Sequence, residues 1–232
     1  MVAGSVSLEV LPDAGALAVR AADWIARRIR ARPDLSVLVA TGNTPMPTYA
    51  RLAELVAGGE LDASRVTAVQ LDEYLGLEPD DPRSLRAWMN RTFVRPLGIT
   101  RVVPLDDPAT FGAALARLGG LDLAILGLGP NGHLGFNEPP SPPDAPTRTL
   151  ALTPESLQSN RAYWQGLAVP THAITAGMDV ILAARETLLL VGGAHKRDIL
   201  RRALHGPETP DVPASFLRRT ALTVLADREA AP

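Results

Sequence analysis

Residues Ser36 to Ala57 read S-V-L-V-A-T-G-N-T-P-M-P-T-Y-A-R-L-A-E-L-V-A. Ser36 to Thr41 is a short, nearly continuous apolar run, the pattern of a strand buried on both faces of a parallel sheet. Pro47 to Ala57 spaces its apolar residues at the helical period. A strand that turns at Gly42 straight into a helix is half of a βα unit, and the same alternation extends in both directions. Strands are expected at Val6 to Leu11, Val66 to Leu71, Val102 to Leu105, Leu123 to Leu126, Thr187 to Val191 and Ala221 to Leu225. Helices fit between them at Ala14 to Arg30, Ser84 to Arg95, Thr110 to Leu118 and Ala194 to Leu204. No repeat or linker interrupts the series. The fold class expected is therefore α/β: a single domain over residues 1–232, with a mainly parallel sheet flanked by helices on both faces in a doubly wound, Rossmann-like arrangement.

The chain of 232 residues is 46% hydrophobic, enough to bury one such sheet. Its 23 basic and 25 acidic residues leave a net charge of -2, with no block of like charge that would mark a nucleic-acid tail or a membrane-surface helix. No apolar run approaches the roughly 20 residues needed to span a bilayer, and the N-terminus lacks a basic-then-apolar leader pattern. The expectation is a cytoplasmic protein that binds neither nucleic acid nor membrane. Without cysteine, disulfides, thiolate nucleophiles and Cys-based zinc sites are all excluded. All but one of the basic residues are arginine. The single lysine, Lys196, either survives by chance on a helix surface or marks a place that requires a compact ammonium.

Four segments carry candidate chemistry. In T-G-N-T-P, Thr41 to Pro45, a glycine lets the backbone approach a ligand while the next helix aims free N–H groups at it. Thr41, Gly42, Asn43 and Thr44 are thus a possible phosphate seat, although a short turn of this kind also occurs for purely structural reasons. In L-D-E-Y-L-G-L, Leu71 to Leu77, adjacent acids stand at the carboxyl end of a buried strand. Partial desolvation there would raise a carboxyl pKa and make Asp72 a usable base; the alternative is a cap on a turn or helix. The stretch I-L-G-L-G-P-N-G-H-L-G-F-N-E-P, Ile125 to Pro139, follows a strand with so many glycines and prolines that its backbone is being shaped rather than packed. It holds His133 close in sequence to Asn131 and Glu138, the setting of a catalytic imidazole, whereas His172, His195 and His205 have no such neighbours. Finally, Arg161 in S-N-R-A-Y-W and Lys196 after T-L-L-L-V-G-G offer counter-charge for a phosphate. Beyond the third segment, P-P-S-P-P-D-A-P from Pro139 to Pro146 forbids a helix and leaves a loop, lid-like or simply rigid, over about 139–156.

Taken together, A-T-G-N-T-P, Q-L-D-E-Y-L-G-L, G-P-N-G-H-L-G-F-N-E-P and V-G-G-A-H-K-R resemble, in order and spacing, the glucosamine-6-phosphate deaminase family, from about Ser36 to Asp227. Related 6-phosphogluconolactonases share a G-P-D-G-H turn, but differ after it and usually lack D-E-Y. The resemblance implies an enzyme that converts glucosamine-6-phosphate to fructose-6-phosphate and ammonia. It makes Asp72 the base that moves a proton from C2 to C1. His133 would assist ring opening, oriented by Glu138 with Asn131. It places Thr41, Gly42, Asn43, Thr44, Glu73, Arg161 and Lys196 around the substrate and its 6-phosphate. It implies no metal and no organic cofactor, because the substrate's own carbonyl is the electron sink.

Departures matter too. Asn131 stands where many members have aspartate, and Leu150 where allosterically regulated members have a basic residue. The chain also ends soon after Asp227. These features lead to the expectation of no activation by an N-acetylated sugar phosphate and of a monomer or small homo-oligomer. A galactosamine-6-phosphate deaminase, a 6-phosphogluconolactonase and a non-catalytic sugar-phosphate sensor remain the alternatives.

Overall fold

The computed structural model describes residues 4–78, 81–161, 164 and 167–232. Seven strands form one parallel sheet: β1 (Val6–Leu11), β2 (Ser36–Val39), β3 (Thr67–Gln70), β5 (Arg101–Val103), β6 (Leu123–Gly127), β9 (Glu186–Val191) and β10 (Leu222–Asp227). Their order across the sheet is β1-β10-β9-β6-β2-β3-β5, with every neighbouring pair parallel. β5 begins and ends earlier than its apolar run implied. Pro104 has no N–H to continue the ladder, and the next amide, Leu105 N–H, donates instead to the Gln70 side chain at 3.1 Å.

Alternation along the strands sends side chains to two separate cores. Val37, Val39, Ile125, Leu188 and Leu190 pack against α1 (Ala14–Ala31) and α2 (Met46–Ala57). Leu38, Ala124, Leu126, Leu189 and Val224 face the opposite side, towards α4 (Pro108–Leu118), α6 (Met178–Leu182) and α7 (Arg197–His205). The doubly wound expectation holds.

A second sheet was not expected. β4 (Asp72–Tyr74), β8 (His172–Thr175) and β7 (Arg148–Ala151) form a small antiparallel sheet in the order β4-β8-β7. The short α3 (Leu85–Met89) runs into a π-helical turn, Asn90–Val94, and α5 (Pro154–Asn160) follows β7. Tyr74, Leu85, Phe136, Leu152, Trp164 and Ala173 make a third, smaller apolar cluster between these pieces.

The winding fixes where a ligand belongs. From β2 the chain steps to β3 and β5 on one side; from β6 it steps to β9 and β10 on the other. The carboxyl ends of β2 and β6 therefore flank the switch point at which crevices open in such sheets.

Candidate active site

A cavity of about 880 Å³ opens at that switch point. The turn Thr41 to Pro45 lines it from the end of β2, and Gly127 to Pro130 from the end of β6. Asp72, His133 and Lys196 line the same cavity. The Asp72 carboxyl, the His133 imidazole and the lone lysine, from three separate segments, thus share one space.

Asp72 reaches the cavity because Leu71 breaks the chain away from β3 into β4, where Asp72 pairs with Thr175 of β8. The loop carrying His133 is clamped to the same strand. Phe136 N–H donates to Thr175 Oγ1 at 3.1 Å, and Asn137 Nδ2 donates to the Leu134 and Ala176 carbonyls at 2.9 and 2.8 Å. β8 is therefore the common ruler for both catalytic candidates.

Two glycines let the pieces come this close. Gly135 has φ 58°, and a methyl carbon added there would lie 2.9 Å from Thr175 Oγ1 and 3.3 Å from Asp72 Oδ2. A methyl carbon on Gly129 would lie 2.2 Å from His133 Cδ2, inside the imidazole's own space.

The electrostatics of the acids differ sharply. Asp72 is 8% exposed; burial, reinforced by the neighbouring Glu73 charge, pushes its carboxyl up to about 8. Glu138 is buried as well, which alone would raise its pKa. The imidazole of His133 beside it, with the Ser156 hydroxyl and the Asn131 amide, outweighs burial and holds it at about 2. His133 Nδ1 stands 3.0 Å from Glu138 Oε1, close but not aligned as a hydrogen bond. Asn131 Nδ2 donates to Glu138 Oε2 at 2.6 Å, and Ser156 Oγ to Oε1. The carboxylate is thus anchored and stays ionised next to the ring.

At the phosphate end, α2 starts at Met46 without a side-chain cap; Met46 N–H donates to the Asn43 carbonyl at 3.3 Å and Pro47 has no N–H, so what the helix brings to the cavity wall beside Asn43 and Thr44 is chiefly the positive end of its dipole. Lys196 is half-buried in a 3₁₀ turn, Ala194–Lys196, and burial lowers its pKa. Among the described residues no carboxylate lies within ion-pair distance of it. An anion between the α2 terminus and Lys196 would meet the helix's positive end on one side and the lysine ammonium on the other.

Some expected residues are placed elsewhere. Glu73 does not line the cavity; its carboxylate accepts the Leu85 and Arg86 N–H groups at 2.9 and 2.8 Å and Gln70 Nε2 at 3.0 Å. It caps α3, the alternative weighed for this acid pair, so its assignment to substrate is corrected. Arg161 is exposed at the end of α5 and outside the cavity lining. The proline-rich segment is held down: Ser141 and Ala145 are buried, Ser141 N–H donates to the Pro210 carbonyl at 3.0 Å, and Arg148 Nη2 to Ser141 Oγ at 3.0 Å. No residue of 139–156 lines the cavity.

Other residues on the wall were missed. His195, Arg83, Trp88, Arg91 and Trp164 all line the cavity. His195 had one signal, its place beside Lys196. The others come from segments whose approach depends on the unexpected second sheet.

The sequence profile of the glucosamine-6-phosphate isomerases/6-phosphogluconolactonase family matches residues 12–225. The chain belongs to that family. Among its family relatives, a glucosamine-6-phosphate deaminase of Rhodopirellula baltica is 38% identical over 97% of this chain and 95% of its own length. One from Streptomyces coelicolor is 37% identical over 96% of this chain and 90% of its own. A solved structure of a monomeric glucosamine-6-phosphate deaminase, 34% identical, superposes with a TM-score of 0.91 over 97% of this chain and 98% of that one. The 6-phosphogluconolactonase of Trypanosoma brucei, 20% identical with a TM-score of 0.75 over 98% of both chains, shares the family fold.

Proposed function

We propose that this family member is an enzyme that isomerises and deaminates glucosamine-6-phosphate, releasing fructose-6-phosphate and ammonia. The observation that carries the reading is one cavity holding both a desolvated carboxyl, Asp72, and an imidazole braced by an ionised carboxylate, His133 with Glu138. The named deaminase relatives, at 33–38% identity over most of the chain, support the same reading.

The chemistry follows from these groups. The substrate's 6-phosphate rests on the α2 N-terminus with Thr41, Gly42, Asn43, Thr44 and Lys196. His133 moves a proton from the C1 hydroxyl to the ring oxygen, breaking the C1–O5 bond and giving the open aldehyde. Asp72 takes the C2 proton, and the electron pair it leaves flows towards the C1 carbonyl to form an enolamine. The same carboxyl returns the proton to C1, leaving an imine at C2 that water hydrolyses to the ketone and ammonia. Glu138 remains ionised throughout and orients the imidazole; Asn131 and Ser156 hold the carboxylate in place.

In this reading the enzyme acts in the cytoplasm as a monomer or small homo-oligomer, a monomeric deaminase being among its structural relatives. Among the described residues no helix is long and apolar enough to cross a membrane. The test is to supply purified protein with glucosamine-6-phosphate, galactosamine-6-phosphate or 6-phosphogluconolactone and follow ammonia and acid. Ammonia from the glucosamine ester is the expected result. Ammonia from neither amino sugar rejects the reading, and acid from the lactone alone would replace it.

A further inference from the structure

We propose that Arg91 is a second phosphate-recognition cation of this site, facing Lys196 across the crevice. The inference rests on the sugar-phosphate reading above. Arg91 lines the cavity, yet among the described residues no carboxylate pairs with it; its guanidinium makes only a long contact, 3.4 Å, to the Ala87 carbonyl. Arg83, the other arginine of that wall, is already committed to Asp81 through two bonds of 2.8 and 2.5 Å.

The fold brings the Arg91 turn to the same cavity as the anion seat. Lys196 follows β9, on one side of the β2/β6 switch point, and Arg91 follows β3 and β4, on the other. Trp88, three residues earlier and so on the same helical face, donates Nε1–H to Met46 Sδ at 3.1 Å. Met46 is the first residue of α2, next to the Thr41 to Pro45 turn. Phe93 packs edge-on against Tyr49 of α2, ring centres 4.8 Å apart. These contacts press the Arg91 turn against the helix that follows the cavity-lining Thr41 to Pro45 turn.

The helical register is altered where it matters. Arg95 N–H bonds back five residues to the Asn90 carbonyl at 3.0 Å, one residue more than an α-turn encloses. π-turns of this kind recur at functional sites. Here the extra residue lets Phe93 and Val94 enter the core while Arg91 remains exposed at the cavity.

Arg91→Gln, Arg91→Lys and the control Arg95→Gln, an exposed arginine of the same helical segment outside the cavity, would be compared in two ways. One is KM and kcat with glucosamine-6-phosphate; the other is calorimetric titration with inorganic phosphate in a phosphate-free buffer. Loss of a charge-assisted contact should raise KM and the phosphate Kd about tenfold in Arg91→Gln while kcat changes far less, with partial recovery in Arg91→Lys. Arg95→Gln should match the wild type. Arg91→Gln indistinguishable from Arg95→Gln in both measurements overturns the proposal. If the wild type releases no ammonia, the enzymatic reading fails separately, and the phosphate titration still decides the role of Arg91.

Discussion

Asn131 binds Glu138 and His133 at once: Nδ2 donates to Glu138 Oε2 at 2.6 Å, and Oδ1 accepts the His133 backbone N–H at 3.2 Å. The amide is a donor that costs no charge, so Glu138 stays ionised beside the imidazole. An aspartate in its place would set two carboxylates at hydrogen-bond distance, where one must hold a proton. Asn131→Asp should therefore add a protonation well above the Glu138 value of about 2, seen as an extra acidic limb in the pH profile of kcat/KM. A profile identical to the wild type would show that Asn131 does not govern the pair.

Asp72 must be ionised to take a proton, and its carboxyl is pushed up to about 8 by burial and Glu73. kcat/KM should therefore climb with pH, reach half its plateau near 8 and level off above it; a limb near the ordinary carboxyl value would contradict the desolvated base.

The same shift has a consequence for stability. The folded chain keeps a proton on Asp72 that the unfolded chain, with its ordinary value of 3.8, releases. The stabilisation is complete below 3.8 and lost as pH rises towards 8. Asp72→Asn removes that loss, so its Tm should exceed the wild type by several degrees more at about pH 9 than at about pH 5. An equal difference at both pH values would count against the shift.

Gly135→Ala should abolish turnover while the chain still folds, because the added carbon, on a backbone with φ 58°, presses into Thr175 and Asp72. Gly129→Ala should displace the His133 ring directly. Crystal structures and kcat of both variants are the check; full activity in either would mean that the loop has room the geometry denies it.

Lys196 and Arg161 separate by position. Lys196→Ala should raise KM about tenfold or more with a smaller effect on kcat, whereas Arg161→Ala, exposed and outside the cavity, should change little. Equal KM losses would mean that α5 turns inward around bound substrate and that Arg161 is a phosphate ligand after all.

Much of this was legible in the sequence because the signals are local. The apolar runs at Ser36 and Leu123 announce buried parallel strands, and the glycines around His133 announce a shaped loop. The winding order then puts the Thr41 turn beside the Gly127 to His133 loop without further information. The small sheet was hidden: β4 has three residues, and β7 alternates partly buried with exposed positions over only four. Its existence depends on β8 lying between them, a long-range pairing that no window of sequence contains. The misread role of Glu73 follows from the same blindness. Its carboxylate is engaged by amides twelve and thirteen residues away, and only the folded chain shows that they arrive before any substrate. Arg91 was concealed by the π-turn, which breaks the helical period used to assign faces.

The claim on which the rest depends is that Asp72 carries the C2 proton to C1. The most direct measurement is the conversion of glucosamine-6-phosphate by Asp72→Asn, with binding followed separately by calorimetry. We predict a fall in kcat of about 10²–10⁴-fold with substrate affinity nearly unchanged. A variant that turns over at close to the wild-type rate would contradict the account.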